Sequence, residues 1–414
     1  MQHSLFPRSS GNAPAENGAA LVTAFDLCYH REETTTDACR ASKSHRKSGE
    51  RIMQLFCTRA LLTASGPPVQ PAPVEPQPLY CWTADLITMD CKQLIVITNQ
   101  YTRYTMVLYG VDKAQLARLP ALFIDGLTNQ MRLDGFRSQC IEQYWAAAPG
   151  VQLVECADRL AAARLHKACA RAVAYACPPL PQSLLQPAWS RYVNGERVAV
   201  PGTADPAYPL HALADALTER TGGPVWDASG VTLLAAIEMD FLTVERTLCV
   251  PLWYTFDRLH LALQEAFCWQ EAEPYEFHLP EQGRSVLPSD SPEPADERAS
   301  LPAALTQLSE WLRPGGEALY RYGYGEEGWD VRLHILRPCA PPDERPCAVC
   351  QAGSGEAPPE GIGGEGGYLE FLDALHSPVD PECEALLTEA EQAGWHPFDL
   401  DEVNERLRFM LQND

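Results

Sequence analysis

Two cysteines of the second half, Cys347 and Cys350, have the spacing that most clearly suggests chemistry. Two thiolates separated by two residues can hold one zinc ion, which then needs two further ligands. The further candidates in the same half are His334, Cys339, His376, Cys383 and His396. No second pair of similar spacing is present, so reduced cysteines in a loop are the simpler interpretation. A redox pair is the third and least favoured interpretation, because the motif does not open a helix after a strand as a thioredoxin-like motif would.

Other catalytic motifs are missing from the sequence. There is no Gly-x-Ser-x-Gly, no His-Glu-x-x-His and no paired-acid metal motif. The glycines of residues 361–367 lack a following Lys-Ser or Lys-Thr, which favours a tight turn over a phosphate-binding loop. Because catalysis needs a nucleophile or a metal beside a base, we interpret the protein as non-enzymatic and keep an enzyme as the alternative.

The elements that position these residues belong to a chain of 414 residues, which is long enough for two or three domains. The net charge is −23 and is uneven: residues 1–225 sum to +2 and residues 226–414 to −25. This division indicates two units with different surfaces. An acidic chain is not expected to neutralise nucleic-acid phosphates, and any such contact would involve the nearly neutral N-terminal domain.

Location and redox state are predicted from what the sequence lacks. No run approaches the roughly 18 to 20 apolar residues that cross a bilayer, and the first 25 residues do not have the order of a signal peptide. We therefore predict a cytoplasmic protein that makes no membrane contact. The 15 cysteines are odd in number and scattered, which favours mostly reduced, buried thiols.

The first half is predicted to hold a disordered extension over 1–50 and an N-terminal α+β domain over 51–180. Within that domain, strand-like runs lie at 79–87, 92–99 and 104–110, and a helix is predicted at about 156–176. Residues 181–230 are punctuated by proline and glycine. They predict a linker with one short helix near 209–220.

The second domain is predicted over 231–414 and begins with one strand-like run at 231–250. Thr255 or Asp257 then caps a helix whose core stripe is Leu259, Leu263 and Phe267. An acidic, proline-rich loop at 280–299 is expected to be disordered, a hairpin is expected at 319–335, and a last helix is expected to begin at Asp399. The fold class is therefore α+β, with two mixed sheet-and-helix domains joined by a Pro/Gly-rich linker.

Four patches make the second domain resemble the plasmid pRiA4b ORF-3-like family, whose members are often found near mobile elements. They occur in the family's order over about 180 residues and are, in turn, Val250-Pro251 with Leu259-His260 and Phe267-Cys268-Trp269; Tyr322-Gly323-Tyr324-Gly325-Glu326 with Trp329; Pro358-Pro359-Glu360 with Gly367-Tyr368; and Phe398-Asp399 with Val403-Asn404. The resemblance implies an α+β frame and a role in plasmids or other mobile elements.

The same patches depart from the family at positions where chemistry would reside. Gly323 stands where the family has an acid, and Asp330 and Val331 stand where a histidine usually follows the tryptophan. Ala357 and Gly361 replace a cysteine and an aspartate. A reaction that depends on clustered acids and a histidine would therefore be impaired in this chain.

If the patches converge, they predict a ligand-binding groove with aromatic walls and a few polar groups. Its residues would be His260, Trp269, Tyr322, Tyr324, Glu326, Trp329, Glu360 and Asn404. The structural alternative is that the aromatic rings close the core, His260 bonds Gln264 or backbone, and Asn404 fixes a loop. No catalytic residue is assigned.

The first domain resembles, more loosely, a small bacterial family of unknown function that begins near a Leu-x-Cys-Thr strand. The matching residues are Met53 to Thr58, Leu61-Leu62, Trp82 and the strand at 93–98. The match suggests that residues 1–52 are a dispensable extension or an over-long gene start, with Met53 as the alternative start.

Together these features predict an uncharacterised, mobile-element-associated bacterial protein that works as a non-enzymatic binding or protein-interaction module. The partner is an unknown protein or small ligand, and no cofactor is expected beyond a possible structural zinc at Cys347 and Cys350. The alternative is an enzyme or a nucleic-acid-processing accessory factor of a plasmid or insertion sequence.

Overall fold

The computed structural model describes residues 52–66, 77–175, 177–181, 183–201, 203–288, 300–342, 345–376 and 381–412. The predicted extension over 1–50 and residues 289–299 of the predicted acidic loop lie outside these ranges. The predicted α+β class is confirmed, since two mixed sheets carry helices in the two halves of the described chain.

The sheet of the first half has the order β4-β3-β2-β1-β5. Its strands are β1 (Met53–Cys57), β2 (Cys81–Met89), β3 (Lys92–Asn99), β4 (Thr105–Tyr109) and β5 (Val151–Glu155). β1 pairs parallel with both β2 and β5, whereas β2, β3 and β4 form an antiparallel meander. The three predicted strands thus exist, with ends that differ by at most two residues from the sequence prediction.

Helices cover both faces of this sheet because the side chains of β3 alternate between two apolar cores. Ile95 and Ile97 face one core, and Leu94 and Val96 face the other. The helices are α1 (Arg59–Ser65), α2 (Lys113–Leu116), α3 (Leu119–Leu133), α4 (Ser138–Ala147), α5 (Arg159–Ala174), α6 (Pro187–Asn194) and α7 (Pro209–Thr221). α5, the helix predicted near 156–176, packs with α6 on the second face.

Residues 181–230 differ from the predicted linker with one short helix. They contain two helices, α6 and α7, and both are part of the first domain's cores through Trp189 and Leu213, which are buried. The prolines of this segment predict a linker, but Pro187 and Pro209 occupy the first turns of these helices. At that position the missing amide proton costs no helical hydrogen bond, so proline starts a helix there.

The second sheet has the order β10-β9-β8-β11-β12-β6-β7-β13. Its strands are β6 (Gly230–Glu238), β7 (Thr243–Pro251), β8 (Tyr275–Leu279), β9 (Arg284–Leu287), β10 (Ser300–Pro302), β11 (Glu317–Tyr322), β12 (Trp329–Cys339) and β13 (Val349–Ser354). The single strand predicted at 231–250 is wrong, because the chain reverses after Glu238 and pairs β6 with β7. The predicted hairpin at 319–335 is confirmed as β11 and β12.

The loop predicted to be disordered at 280–299 is partly ordered. Arg284–Leu287 forms β9 on the outer side of β8, and Ser300–Pro302 pairs with β9 in parallel. The reason is local: Val286 is an apolar residue in a polar segment, and it is completely buried in the core of the second half. The acidic composition of the residues after Leu287 predicts disorder for the whole segment, including this short strand.

The helices of the second half are α8 (Phe256–Phe267), α9 (Leu308–Trp311), α10 (Gly364–His376), α11 (Pro381–Gln392) and α12 (Leu400–Gln412). The Thr255 hydroxyl accepts from the Arg258 amide at the start of α8, and Leu259, Leu263 and Phe267 form its fully buried stripe, as predicted. The Asp399 carboxylate accepts from the first amides of α12, which confirms the predicted cap.

A disulfide joins Cys249 on β7 to Cys339 at the end of β12, with Cα atoms 6.2 Å apart. β6 lies between these two strands, so the bridge passes beside Gly230. A Cβ atom on Gly230 would lie 3.1 Å from the Cys339 sulfur, and the glycine therefore leaves room for the bridge. These two cysteines are exceptions to the prediction of mostly reduced thiols, since eleven other described cysteines are free.

The two halves meet along a seam within the compact unit of residues 51–414. Gly135, which has φ +93°, lies against the indole ring of Trp253. The connecting segment is bonded to the first half, because the Arg137 amide donates to Val225 O and the Asp227 amide to Gly135 O. The ring of Trp226 packs on Phe136 beside these bonds.

Candidate functional site

The candidate site of the second half lies where α8 crosses the strands β8 and β11. Tyr320 and Tyr322, two residues apart on β11, turn to the same side of the sheet, and Tyr275 on β8 is the register partner of Tyr322. His260 projects from the middle of α8 onto these rings and is 4% exposed. Periodicity of the helix and of the strand therefore brings one histidine and three tyrosines together.

The His260 imidazole is fixed by one ring contact and one hydrogen bond. It stacks on Tyr275 with ring centroids 3.7 Å apart, and its Nδ1 lies 2.8 Å from the Tyr320 hydroxyl oxygen. The Gln264 amide donates to that same oxygen at 2.9 Å, which leaves the Tyr320 hydroxyl proton for Nδ1. Burial lowers the pKa of His260 to about 3, so the imidazole is neutral.

A second set of contacts fixes the loop before α10 onto the sheet. The Tyr322 hydroxyl donates to the Glu360 carboxylate and accepts from the Glu273 amide. The Trp269 ring stacks on Tyr322 at 4.7 Å, and its Nε1 donates to Pro358 O at 2.9 Å. Burial, followed by the Glu360 carboxylate, raises the pKa of Tyr322, so this hydroxyl keeps its proton.

The eight residues predicted to line a groove do not all meet. His260, Trp269, Tyr322 and Glu360 belong to the contacts just described. The three rings are buried in the core, and the half-buried Glu360 carboxylate accepts from the Tyr322 hydroxyl. Trp329 is the register partner of Tyr322 and packs edge-on against Tyr368. Tyr324 is 49% exposed in the turn between β11 and β12, and the Glu326 side chain lies outside the described part of the structure. Their binding role stays a prediction.

Asn404 belongs to another part of the second half. Its Oδ1 accepts from the Cys350 amide at 2.8 Å and its Nδ2 donates to Cys350 O at 2.9 Å. Cys350 lies on the edge strand β13, which three strands separate from β11. The amide side chain thus ties α12 to a sheet edge, whereas the structural alternative expected it to fix a loop, and it is not part of the His260 cluster.

Cys347 and Cys350 are both buried, and burial raises the pKa of the Cys350 thiol to about 11. Within the described residues, no three His, Cys, Asp or Glu side chains are arranged to hold a metal ion. Three of the candidate further ligands have other partners: Cys339 is disulfide-bonded, His334 faces Glu317, and His396 contacts Arg406. The described geometry does not fit a four-ligand zinc site.

Sequence reasoning missed one cysteine–histidine pair. The Cys268 sulfur lies 3.9 Å from His396 Nδ1, and His396 Nε2 lies 3.6 Å from the Glu402 carboxylate. Burial raises the pKa of Cys268 although Arg406, which donates to this sulfur at 3.2 Å, lowers it. The thiol also sits at the carboxyl end of α8, where the helix dipole disfavours a thiolate. A separation of 128 residues gives no sequence signal for this pair.

A buried arginine, Arg246, is a second residue that the sequence did not reveal. Its guanidinium donates to the main-chain oxygens of Ala266, Ser354 and Gly355 and lies over the Phe398 ring at 3.9 Å. These contacts join β7, the end of α8 and the end of β13. Arg246 therefore stabilises the frame around the cluster instead of contacting a reactive group.

The fold and these patches place the second half in a known class. Residues 231–406 match the family described as plasmid pRiA4b ORF-3-like protein, and residues 54–212 match a family described as a domain of unknown function, DUF6933. The chain belongs to the plasmid pRiA4b ORF-3-like family. Both resemblances seen in the sequence are confirmed.

One curated relative supports this assignment, and one solved structure is also similar to part of the chain. The uncharacterized protein y4hQ of Sinorhizobium fredii is 30% identical over 179 residues, which cover 43% of this chain and 87% of that protein. The crystal structure of a protein of unknown function from Methanosarcina mazei Go1 is 25% identical and covers 42% of this chain and 97% of that one, with a TM-score of 0.36. None of the helices in the described part of the chain has the length and hydropathy of a membrane span.

Proposed function

We propose that this protein is a non-enzymatic protein-interaction module that serves a plasmid or another mobile element. The plasmid origin of the family name supports the setting. The observation that carries the proposal is that the polar side chains of the family patches bond each other inside the second half. His260, Tyr320 and Tyr322 are buried and hydrogen-bonded, and the half-buried Glu360 carboxylate is engaged by the Tyr322 hydroxyl.

The competing enzyme class would depend on Cys268, the one thiol found beside a histidine in the described chain. A thiol nucleophile needs a lowered pKa, and burial moves the pKa of Cys268 in the opposite direction. A neutral, buried His260 with a pKa of about 3 is equally unsuited to proton transfer near neutral pH.

The interacting surface proposed here is the outer side of the last three helices, α10 to α12. Their exposed carboxylates are Glu365, Glu370, Asp373, Glu384, Glu389, Glu391, Asp401, Glu402 and Glu405. The only arginines in these helices are Arg406 and Arg408, and there is no lysine. An open cavity of about 530 Å³ runs along α11 between Glu384 and Glu389. Charge complementarity favours a partner with a basic segment.

The test is a titration of the full chain with a fluorescent arginine-rich peptide of about twelve residues at several salt concentrations. We expect saturable binding that weakens with salt, and a loss of about tenfold or more in Glu384→Lys/Glu389→Lys, because like charges oppose association. The matched control is Asp205→Lys/Glu219→Lys, which makes the same charge change at exposed residues of the first half. Equal binding by both variants, or no binding at low salt, would contradict the proposal.

A gel-shift titration with double-stranded DNA separates this class from the nucleic-acid alternative. We expect no shift at about 0.15 M salt, because an acidic surface repels phosphates. A tight, salt-sensitive shift would instead support a nucleic-acid-processing factor that binds through its first half. Elemental analysis of the same sample decides the zinc hypothesis, since one tightly held zinc per chain would require ligands other than those the described residues bring together.

A further inference from the structure

A cavity of about 270 Å³ lies in the first half, away from the cluster of the second half. It opens between the turn that joins β3 to β4 and the first turns of α5. The side chains that matter to its chemistry are Thr83, Asn99, Gln100, Arg103, Asp158 and Arg164. A cavity of this size is close to the lower end of the range for small-molecule sites.

Arg103 is the unusual member of this set. It is 7% exposed, and its Nη2 atom is buried without a hydrogen-bond partner among the described residues. None of the described carboxylates forms an ion pair with it. A buried guanidinium normally has a carboxylate or carbonyl partner, because removing the charge from water is costly. Arg103 has neither.

The backbone holds Arg103 in place despite strain. Its φ is +66°, a left-handed conformation that a non-glycine side chain rarely adopts. The Asn99 side chain fixes the turn, because its Oδ1 accepts from the amides of Tyr101 and Thr102 at 2.9 Å. The Thr105 hydroxyl donates to Arg103 O at 2.9 Å. Strain that the surroundings enforce in this way is typical of functional positions.

A second arginine faces the same cavity from α5. Arg164 is exposed, and no described carboxylate pairs with it. Burial, followed by the charge of Arg164, lowers the pKa of Arg103 to about 10, so the Arg103 guanidinium is charged near neutral pH. Asp158, on the rim, is already engaged as the cap of α5, since its Oδ1 accepts from the Leu160 amide at 2.8 Å.

We propose that this cavity binds a small oxyanion, a phosphate or carboxylate group of a small molecule, between Arg103 and Arg164. Guanidinium groups present paired N–H donors that match the two oxygens of such a group. Gln100 donates to Thr83 Oγ1 at 3.0 Å, which leaves the Thr83 hydroxyl proton for a ligand. The burial of Arg103 excludes the backbone of a nucleic-acid duplex.

The experiment is calorimetric titration of the full chain with inorganic phosphate, glycerol phosphate and succinate at constant ionic strength. We expect one anion per chain. Arg164→Gln should weaken binding by about tenfold or more, since a charge-assisted hydrogen bond is lost. Arg159→Gln, an exposed arginine of the same helix that does not line the cavity, should bind as the unchanged protein does. Preference for glycerol phosphate or for succinate identifies the phosphate or the carboxylate source.

Arg103→Asn distinguishes a binding role from a structural one. Asparagine tolerates a left-handed φ and removes the unpartnered charge, so we expect this variant to lose anion binding and to melt at a higher temperature than the ligand-free protein. A lower melting temperature would show that Arg103 holds the turn and would overturn the proposal. So would equal affinities in Arg164→Gln and the unchanged protein, or no saturable binding of any probe up to about 10 mM.

Discussion

The imidazole ring of His260 lies flat on the ring of Tyr275, with 10° between the two planes and 3.7 Å between their centroids. A protonated imidazole at this place would need a partner that the surrounding aromatic rings and Gln264 do not provide. The site is therefore built for the neutral form of the histidine, and this has a measurable consequence for stability.

We predict that the second half loses stability as the pH falls below about 6.5. The unfolded chain takes up a proton at His260 near pH 6.5 and the folded chain only near pH 3. The contribution is complete above pH 6.5 and declines by about 1.4 kcal/mol per pH unit between these values. Urea unfolding at pH 7, 6, 5 and 4 measures it.

His260→Gln is the variant that isolates this effect. It should flatten the pH dependence, whereas His166→Gln, at an exposed position of α5, should leave it unchanged. An unaltered slope in His260→Gln would mean that other groups cause the acid sensitivity.

The contact of Gly135 with Trp253 predicts a large effect of adding one methyl group. In Gly135→Ala the Cβ would lie 2.8 Å from the indole ring at a φ of +93°. We expect a loss of about 2–4 kcal/mol, which combines overpacking with backbone strain. Gly150→Ala has a φ of +80° but open space, so it should show only the strain. Similar losses of stability in the two variants would show that the Trp253 ring moves away from the added methyl group without a cost in unfolding free energy.

Breaking the Cys249–Cys339 bridge should destabilise the second half. The bridge closes a segment of 90 residues, and we expect its removal in Cys249→Ser/Cys339→Ser to cost about 2–4 kcal/mol in unfolding free energy. The melting temperature with and without reductant measures the effect in the unchanged protein. Cys91→Ser, at an exposed cysteine, serves as the control. Peptide mapping without reduction that recovers both cysteines unlinked would refute the pairing.

Removing the Glu360 carboxylate should loosen the loop that Tyr322 and Trp269 hold. We expect Glu360→Ala to cost about 1–2 kcal/mol, because the buried Tyr322 hydroxyl loses its acceptor. Glu365→Ala, at an exposed position nearby, should change stability by less than about 0.5 kcal/mol. Hydrogen exchange of the Glu273 amide and of the Trp269 indole N–H reports the loosening directly.

Elements with a clear local pattern could be predicted from the sequence. The alternation of β3 and the stripe of Leu259, Leu263 and Phe267 gave correct elements, since each pattern reflects burial against one surface. Proline was an ambiguous signal for helix boundaries, because some prolines follow the end of a helix and others occupy the first turn of one. The hairpin of β6 and β7 was missed for want of a glycine or proline at its turn.

The candidate site was predicted less well, because its contacts depend on strand order. Residue type and spacing indicated His260, Tyr322 and Glu360 as site residues. Only the strand order shows that Asn404 bonds to β13, which three strands separate from β11. Arg103 had no sequence signal at all. Its interest comes from a positive φ and a missing partner, and neither property is encoded by a motif.

The Arg137 amide donates to Val225 O and the Asp227 amide donates to Gly135 O, so the chain on either side of Trp226 is bonded to the first half, with no spacer before β6 begins. Separating the two halves between residues 225 and 229 would therefore expose Trp253 and Phe136 to water. The resulting fragments would be prone to aggregate. Truncated expression clones that aim to separate the two family matches should keep this segment with the N-terminal part and replace Trp253 by a polar residue.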